Sequence, residues 1–281
     1  RVESMKVLIT GANGQLGKTL VNVLGANPQY DILPLGREDM DVTDETATKR
    51  MLRSVAPDVV IYAAAYTAVD KAELEPEEAY RINAFGVRNV AVAAEETRSK
   101  LCYVSTDYVF DGKGRVPYLE FDEMNPLSVY GKSKKAGELF AQTLCSRYFI
   151  VRTSWLYSEY GKNFVKTMLD LAKKQSKLNV VHDQTGSPTY AADLAAFLEK
   201  LIATERYGIY HAANSGSCTW YEFAKAIFQY AGMKVELEPC TTEEFPRPAP
   251  RPQYSVLGSV AMKGNQFEPL RDWRSALQDF M

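Results

Sequence analysis

One heptapeptide restricts the architectures open to this chain more than any other segment. Gly11-Ala12-Asn13-Gly14-Gln15-Leu16-Gly17 leaves a β-branched strand pattern at 6–10 and enters an amphipathic pattern with Leu16, Leu20, Val23 and Leu24 on one side. A strand that turns this sharply into a helix needs glycine where φ is positive and where backbone must come close to a ligand. The helix start then offers unpaired N–H groups and the positive end of its dipole, which suits a pyrophosphate. The expected ligand is a dinucleotide, held around Gly11, Asn13, Gly14, Gln15 and Leu16.

The same rhythm continues downstream. Strand patterns at 6–10, 32–35, 59–63, 101–105 and 149–153 alternate with helical ones at 14–24, 43–55, 77–97 and 129–146. Strands separated by crossover helices pair in parallel, and the fully apolar 59–63 segment reads as a strand covered on both faces. Beyond Trp155, Pro188 and the Arg247-Pro248-Ala249-Pro250-Arg251-Pro252 stretch interrupt the alternation, while 191–203 and 220–231 still read as helices. The predicted fold is α/β: a Rossmann-type doubly wound parallel sheet over 5–155, and a smaller C-terminal α/β substrate-binding region over 156–281. The two are expected to pack closely, with room for the chain to cross between them.

Composition removes several function classes. Thirty-three basic against thirty-five acidic residues give a net charge of −2, without the basic footprint that phosphate backbones require, so no nucleic acid partner is expected. The longest apolar run, Val59 to Tyr66, is far short of the ~20 residues of a spanning helix, so no membrane partner is expected. No secretory signal pattern is read at the N-terminus, where Arg1 to Ser4 read as an addition ahead of Met5. The cysteines Cys102, Cys145, Cys218 and Cys240 are scattered, and His182 and His211 fall in no ligand spacing. The expected compartment is the cytoplasm, with no metal site.

Three further stretches bear on chemistry. At the end of the second strand, Arg37 is placed to face a 2′-phosphate, whereas Glu38 or Asp39 is placed to reach a free ribose, leaving NADPH and NADH both open. Tyr130 and Lys134 lie four apart on a helix whose start is signalled by Asn125-Pro126 and Ser128, so they share a face. Bringing a phenol from its usual pKa of ~10 down to ~7 takes ~4 kcal/mol of differential interaction, which a neighbouring ammonium and an oxidised nicotinamide can supply together. Thr106 closes the strand pattern at 101–105 at the end where open sheets gather ligands, within reach of a reacting carbonyl oxygen.

With these pieces assembled, the chain resembles the extended short-chain dehydrogenase/reductases from Met5 to Met281. The resemblance is carried by the glycine heptapeptide, Asp41-Val42, Ala63-Ala64-Ala65-Tyr66-Thr67-Ala68-Val69-Asp70-Lys71, Ser105-Thr106-Asp107-Tyr108-Val109-Phe110-Asp111-Gly112 and Tyr130-Gly131-Lys132-Ser133-Lys134, with Arg152-Thr153-Ser154-Trp155 and Arg251-Pro252 adding to it. It implies that Asp41 and Val42 flank the adenine, that Ala63, Ala64, Ala65 and Tyr66 line the cofactor, and that Asn83 helps to position the catalytic lysine. It implies too that Thr106, Asp107 and Trp155 meet the substrate, with Arg251 on its diphosphate. The implied reaction is hydride transfer from NADPH or NADH to the C4 ketone of a dTDP-linked 4-keto-6-deoxy sugar, dTDP-4-dehydro-L-rhamnose, giving dTDP-L-rhamnose for nucleotide-sugar biosynthesis. Tyr130 would protonate the alkoxide and Lys134 bind the nicotinamide ribose, with Thr106 completing the catalytic set.

Some relatives dimerise through Mg²⁺ held by carboxylates, one of them in the glycine loop, where this chain has the amide Gln15; monomer and homodimer both stay open. Dehydratases of this fold carry an Asp-Glu pair after the threonine, whereas this chain has Asp107-Tyr108, and the 4-epimerases differ across the same segment. A non-catalytic NADP-binding regulatory subunit, or a reductase of another 4-keto nucleotide sugar, are the alternatives. Intact Thr106, Tyr130 and Lys134 favour an enzyme.

Overall fold

The computed structural model describes residues 3–281; Arg1 and Val2 of the leading tetrapeptide lie outside the described residues. Along the first half run β1 (Met5–Thr10), α1 (Gln15–Gly25), β2 (Tyr30–Leu35), α2 (Glu45–Val55), β3 (Val59–Tyr62), α3 (Gly86–Glu96), β4 (Lys100–Thr106), α4 (Val129–Leu144) and β5 (Tyr148–Thr153). The second half adds α5 (Phe164–Lys174), β6 (Lys177–Val181), α6 (Ala191–Ile202), β7 (Gly208–His211), α7 (Trp220–Ala231), β8 (Glu236–Cys240) and α8 (Trp273–Phe280).

Six strands form one sheet in the order β7-β5-β4-β3-β1-β2, with every neighbouring pair parallel. Side chains alternate across a strand, so β1 sends Val7 and Ile9 to one face and Leu8 to the other, and β3 divides Val59 and Ile61 from Val60 and Tyr62. Both faces are covered. On one, Leu16, Leu20 and Leu24 of α1 pack with Leu194, Leu198, Leu201 and Ile202 of α6. On the other, the apolar sides of α2, α3 and α4 close over Leu8, Val60, Tyr62 and Tyr103. This two-sided burial explains why these strands are near-continuously apolar. Strand order reverses at β1, between β2 and β3, which opens a crevice at the carboxyl ends of β1 and β3.

Beyond β5 the chain does not leave this core. Helix α6 lies on α1, where Tyr30 Oη donates to the Glu199 carbonyl at 2.9 Å, and β7 pairs with β5 as the sixth strand. A separate core gathers Tyr157, Val165, Phe223, Ile227, Trp273 and Leu277, beside the parallel pair β6 and β8.

The single helix expected at 77–97 is broken into three: a short helix Pro76–Tyr80, a π-helical turn Arg81–Phe85, and α3. The turn carries Asn83, fully buried, whose side chain accepts from Tyr66 N at 2.9 Å and donates to Ser133 Oγ at 3.0 Å. A π turn re-aims one residue without ending the helix, and these distant partners set its place. Among the described residues, no helix is long and apolar enough to cross a membrane.

Because Leu198 is wholly buried between α6 and the sheet, Leu198→Ala is expected to lower unfolding free energy by about 2–5 kcal/mol in urea denaturation. A loss below about 1 kcal/mol would show that α6 does not belong to the first core.

Candidate active site

The glycine loop packs as its spacing requires. Gly11 has φ +65°, and a Cβ there would sit 2.6 Å from Ala64 N; at Gly17 a Cβ would run into the Gly11 carbonyl oxygen. The loop is therefore pressed against the end of β3, and α1 against the loop. Gly14 caps α1 in an extended conformation with no side-chain hydrogen bond, and the first turn holds no acid. Its N–H groups stay free for an anion. These features fit a dinucleotide pyrophosphate.

A cavity of about 820 Å³ runs along the carboxyl ends of the strands from Arg37 to Trp220. Of the residues read from the sequence as site residues, all line it except Tyr66, Asn83 and Arg251. Asp39 is engaged with its own turn, accepting from Gly36 N at 2.8 Å, and Arg37 is the charged group at the end of β2 that faces the cavity.

Tyr130, Thr106 and Lys134 converge at the centre. Ser128 caps α4 by accepting from Gly131 N at 3.0 Å, which places Tyr130 in the first turn and Lys134 one turn on. The Tyr130 phenol faces the Thr106 hydroxyl, which pulls its pKa down against the effect of burial. Lys134 Nζ donates to the Val104 carbonyl at 2.6 Å and lies 4.4 Å from the centre of the Tyr103 ring. Two titrations differ from expectation. Burial pushes the Tyr130 phenol up to about 12, and burial pushes Lys134 down to about 7, with Glu138 opposing. In the protein alone, desolvation outweighs the help an ammonium gives a phenolate. Asp107, 2% exposed, is pushed up to about 6 by burial, with Ser255 and Thr106 pulling the other way.

The other three residues lie outside the cavity lining. Tyr66 turns outward, its hydroxyl donating to Glu75 at 3.0 Å. Asn83 hydrogen-bonds the Tyr66 backbone and Ser133, the residue before Lys134, and acts on the site through α4. Arg251 has its guanidinium committed to both oxygens of Asp70, and it holds that carboxyl below the usual range. It clamps the proline-rich segment onto the 63–72 loop. Gln15, standing where some relatives have a carboxylate, accepts from Ser158 Oγ at 3.1 Å and Asn163 Nδ2 at 3.0 Å, tying the glycine loop to the second region.

Sequence reasoning missed Trp220. Its ring stacks on Trp155 with centroids 3.5 Å apart and planes 11° from parallel, and both line the cavity. Trp155 holds φ +49° and lies so close over Gly186 that a Cβ there would be 2.6 Å from its ring. The Thr219–Glu222 capping box marks the helix start in sequence, but nothing local links it to Trp155. Thr153, whose buried Oγ1 has no partner, also lines the cavity and was not singled out.

The RmlD substrate binding domain family matches residues 5–281. The chain belongs to that family. A dTDP-4-dehydrorhamnose reductase from Bacillus anthracis, crystallised with NADP, superposes with TM-score 0.97 at 50% identity, over 99% of this chain and 98% of that one. A dTDP-4-dehydrorhamnose reductase from Aggregatibacter actinomycetemcomitans is 44% identical over 98% of this chain and 97% of its own length. A probable dTDP-4,6-dihydroxy-2-methyloxan-3-one 4-ketoreductase from Streptomyces antibioticus is 42% identical over 98% and 94%.

For this RmlD-family chain, the closed Trp155–Trp220 stack is expected to give an exciton couplet in ultraviolet circular dichroism. Trp220→Phe should abolish it with the fold retained; a couplet that survives would show the rings apart in solution.

Proposed function

We propose that this chain is a nicotinamide-dependent reductase of a dTDP-linked 4-keto-6-deoxy sugar, taking dTDP-4-dehydro-L-rhamnose to dTDP-L-rhamnose. The observation that carries the reading is that Thr106, Tyr130 and Lys134 line one cavity that continues to the open N-terminus of α1. Membership of the RmlD family and the relatives named above support the substrate class. Gly11, Asn13, Gly14, Gln15 and Leu16 would hold the pyrophosphate, Asp41 and Val42 the adenine side, and Ala63, Ala64 and Ala65 the path between. Bound there, the reduced nicotinamide supplies a hydride to the ketone carbon.

The chain's own residues do the rest. Tyr130 donates its proton to the oxygen that becomes an alkoxide, and Thr106 holds that oxygen in place. Lys134, anchored at the Val104 carbonyl, would bind the nicotinamide ribose. A phenol raised to about 12 stays protonated until an alkoxide forms beside it, which suits an acid used in the transition state. Arg37 sits where a 2′-phosphate would be received, favouring NADPH. The Trp155 and Trp220 rings form an apolar wall for the deoxysugar. The four cysteines carry free thiols, three of them buried, which fits work in the reducing cytoplasm. The Streptomyces relative favours a second reading, reduction of another dTDP-linked 4-keto sugar.

Oxidation of NADPH and NADH is to be followed with dTDP-, UDP- and GDP-linked 4-keto-6-deoxy sugars. Turnover is expected with the dTDP sugar, and cofactor binding without turnover of any of them would point to the regulatory-subunit alternative. Tyr130→Phe should lower kcat by about 10²–10⁴-fold with NADPH affinity nearly unchanged; an unaltered kcat would remove Tyr130 from the chemistry. Arg37→Ala should raise the KM for NADPH several-fold and leave that for NADH in place, whereas equal changes would mean that Arg37 reads no 2′-phosphate.

A further inference from the structure

The segment between β5 and α5 lies against the glycine loop, and the glycine loop holds it there. Gln15 Oε1, at the start of α1, accepts from Ser158 Oγ at 3.1 Å and from Asn163 Nδ2 at 3.0 Å. Asn163 Nδ2 also donates to the Ser158 carbonyl at 2.7 Å, which draws the two ends of the segment together. Between them, Asn22 of α1 hydrogen-bonds the Tyr160 hydroxyl, and Lys166 Nζ of α5 donates to the carbonyls of Glu159 at 3.0 Å and Gly161 at 2.9 Å. Gly161 takes φ +67°, and a Cβ there would stand 3.7 Å from Gln15 Cβ. Residues 158–163 thus form a strap fixed to α1 at both ends and in the middle.

Lys162 is the cation of that strap. It is exposed and lines the cavity, and among the described residues it forms no ion pair. The other basic side chains lining the cavity among the described residues are Arg37 and Lys134. Arg37 stands at the end of β2, where a 2′-phosphate would be received, and Lys134 is buried at the Val104 carbonyl with Glu138 as its counter-charge. Lys162 is left for the start of α1.

That helix start needs it. A dinucleotide pyrophosphate carries a negative charge on each phosphate, whereas a helix N-terminus supplies the equivalent of about half a positive charge, and the first residues of α1 add only uncharged N–H groups. Much of the anion's charge is still unanswered, in a cavity whose walls screen it less than bulk water does. A lysine ammonium, a compact charge on a flexible stem, binds phosphate as a point charge.

We propose that Lys162 is a diphosphate ligand, carried by the second region of the chain and laid by the Gln15-held strap against the cofactor's pyrophosphate. The inference rests on the cofactor site of the reductase reading above. Lys162 then contributes affinity that is blind to the 2′-phosphate, unlike Arg37, and the bound dinucleotide joins the two cores of the chain. Phe164, which follows the strap, packs on Trp220 with ring centroids 4.7 Å apart, so the strap also borders the tryptophan wall, and the diphosphate of a nucleotide sugar has the same chemistry. Attachment of the strap to Gln15 favours the cofactor.

The deciding experiment measures dissociation constants by calorimetry for wild type, K162M and K162R: NADPH and NADH with the protein alone, and dTDP with NADPH saturating. Urea unfolding of each protein runs beside it. Wild type that binds the dinucleotides without turning over any keto sugar would defeat the reductase reading and leave the variants to judge the inference; wild type that binds neither dinucleotide would overturn both. K162M should raise the Kd of NADPH and of NADH alike by about tenfold. The dTDP affinity and the unfolding midpoint should stay in place, because Lys162 is exposed, and K162R should recover most of the loss. An unchanged Kd for either dinucleotide would overturn the proposal. So would a matching loss for dTDP, which would give Lys162 to the sugar nucleotide, or a loss that K162R does not recover, which would show that its charge is not what binds.

Discussion

Glu138 and Arg152, each about 1% exposed, form the ion pair on which the site's geometry hangs. Arg152 Nη2 meets Glu138 Oε1 at 2.7 Å, and the Ser105 hydroxyl donates to Glu138 Oε2 at 2.6 Å. Withdrawing two charges from water costs several kcal/mol each, and removing one partner of such a pair costs about 3–5 kcal/mol. The pair is tolerated because its remaining valences are filled. Arg152 Nη1 also reaches His211 Nε2 at 3.1 Å; burial, with Arg152 adding to it, pushes that imidazole down to about 4. Neutral His211 accepts there and donates through Nδ1 to the Gly258 carbonyl at 2.8 Å. The network therefore bolts α4 to β4, β5 and β7. Tyr130 and Lys134 project from the first of these elements, and Thr106 follows Ser105 at the end of the second.

From that rigidity the chemistry follows. Lys134 lies one helical turn before Glu138, whose charge opposes the desolvation that would otherwise neutralise the ammonium. The glycine loop supplies the complementary half: close backbone approach at Gly11 and Gly17 presses an uncapped helix start against the strand ends. An anion-binding end and a proton-donating centre thus share one continuous cavity.

How much of this was legible in sequence depended on range. The parallel strands and the glycine turn declare themselves locally, because two-sided burial demands near-continuous apolar runs and the turn admits only glycine at φ +65°. The Tyr130 and Lys134 pair was legible because four residues make one helical turn and Ser128 signals the cap. Partnerships across the chain were hidden. Asp70 and Arg251 stand 181 positions apart, so the sequence presents Arg251 as a free guanidinium and hides the carboxylate it is paired with. The π turn at Arg81–Phe85 answers to partners at Tyr66 and Ser133 that no helical periodicity encodes. Trp220 joins the site only because the chain folds α7 against the end of β5. Burial was equally invisible, and it is burial that sends the Tyr130 and Lys134 titrations in directions that adjacency alone does not suggest.

The account's central claim is a direct delivery of hydride to a sugar ketone in this cavity, with the proton arriving from the protein. The most direct measurement incubates the protein with NADPH deuterated at nicotinamide C4 and the dTDP-linked 4-keto sugar, then locates the label by NMR. One deuterium on C4 of the product sugar is the expected result. A product without deuterium at C4, or with deuterium at another carbon, would contradict the account.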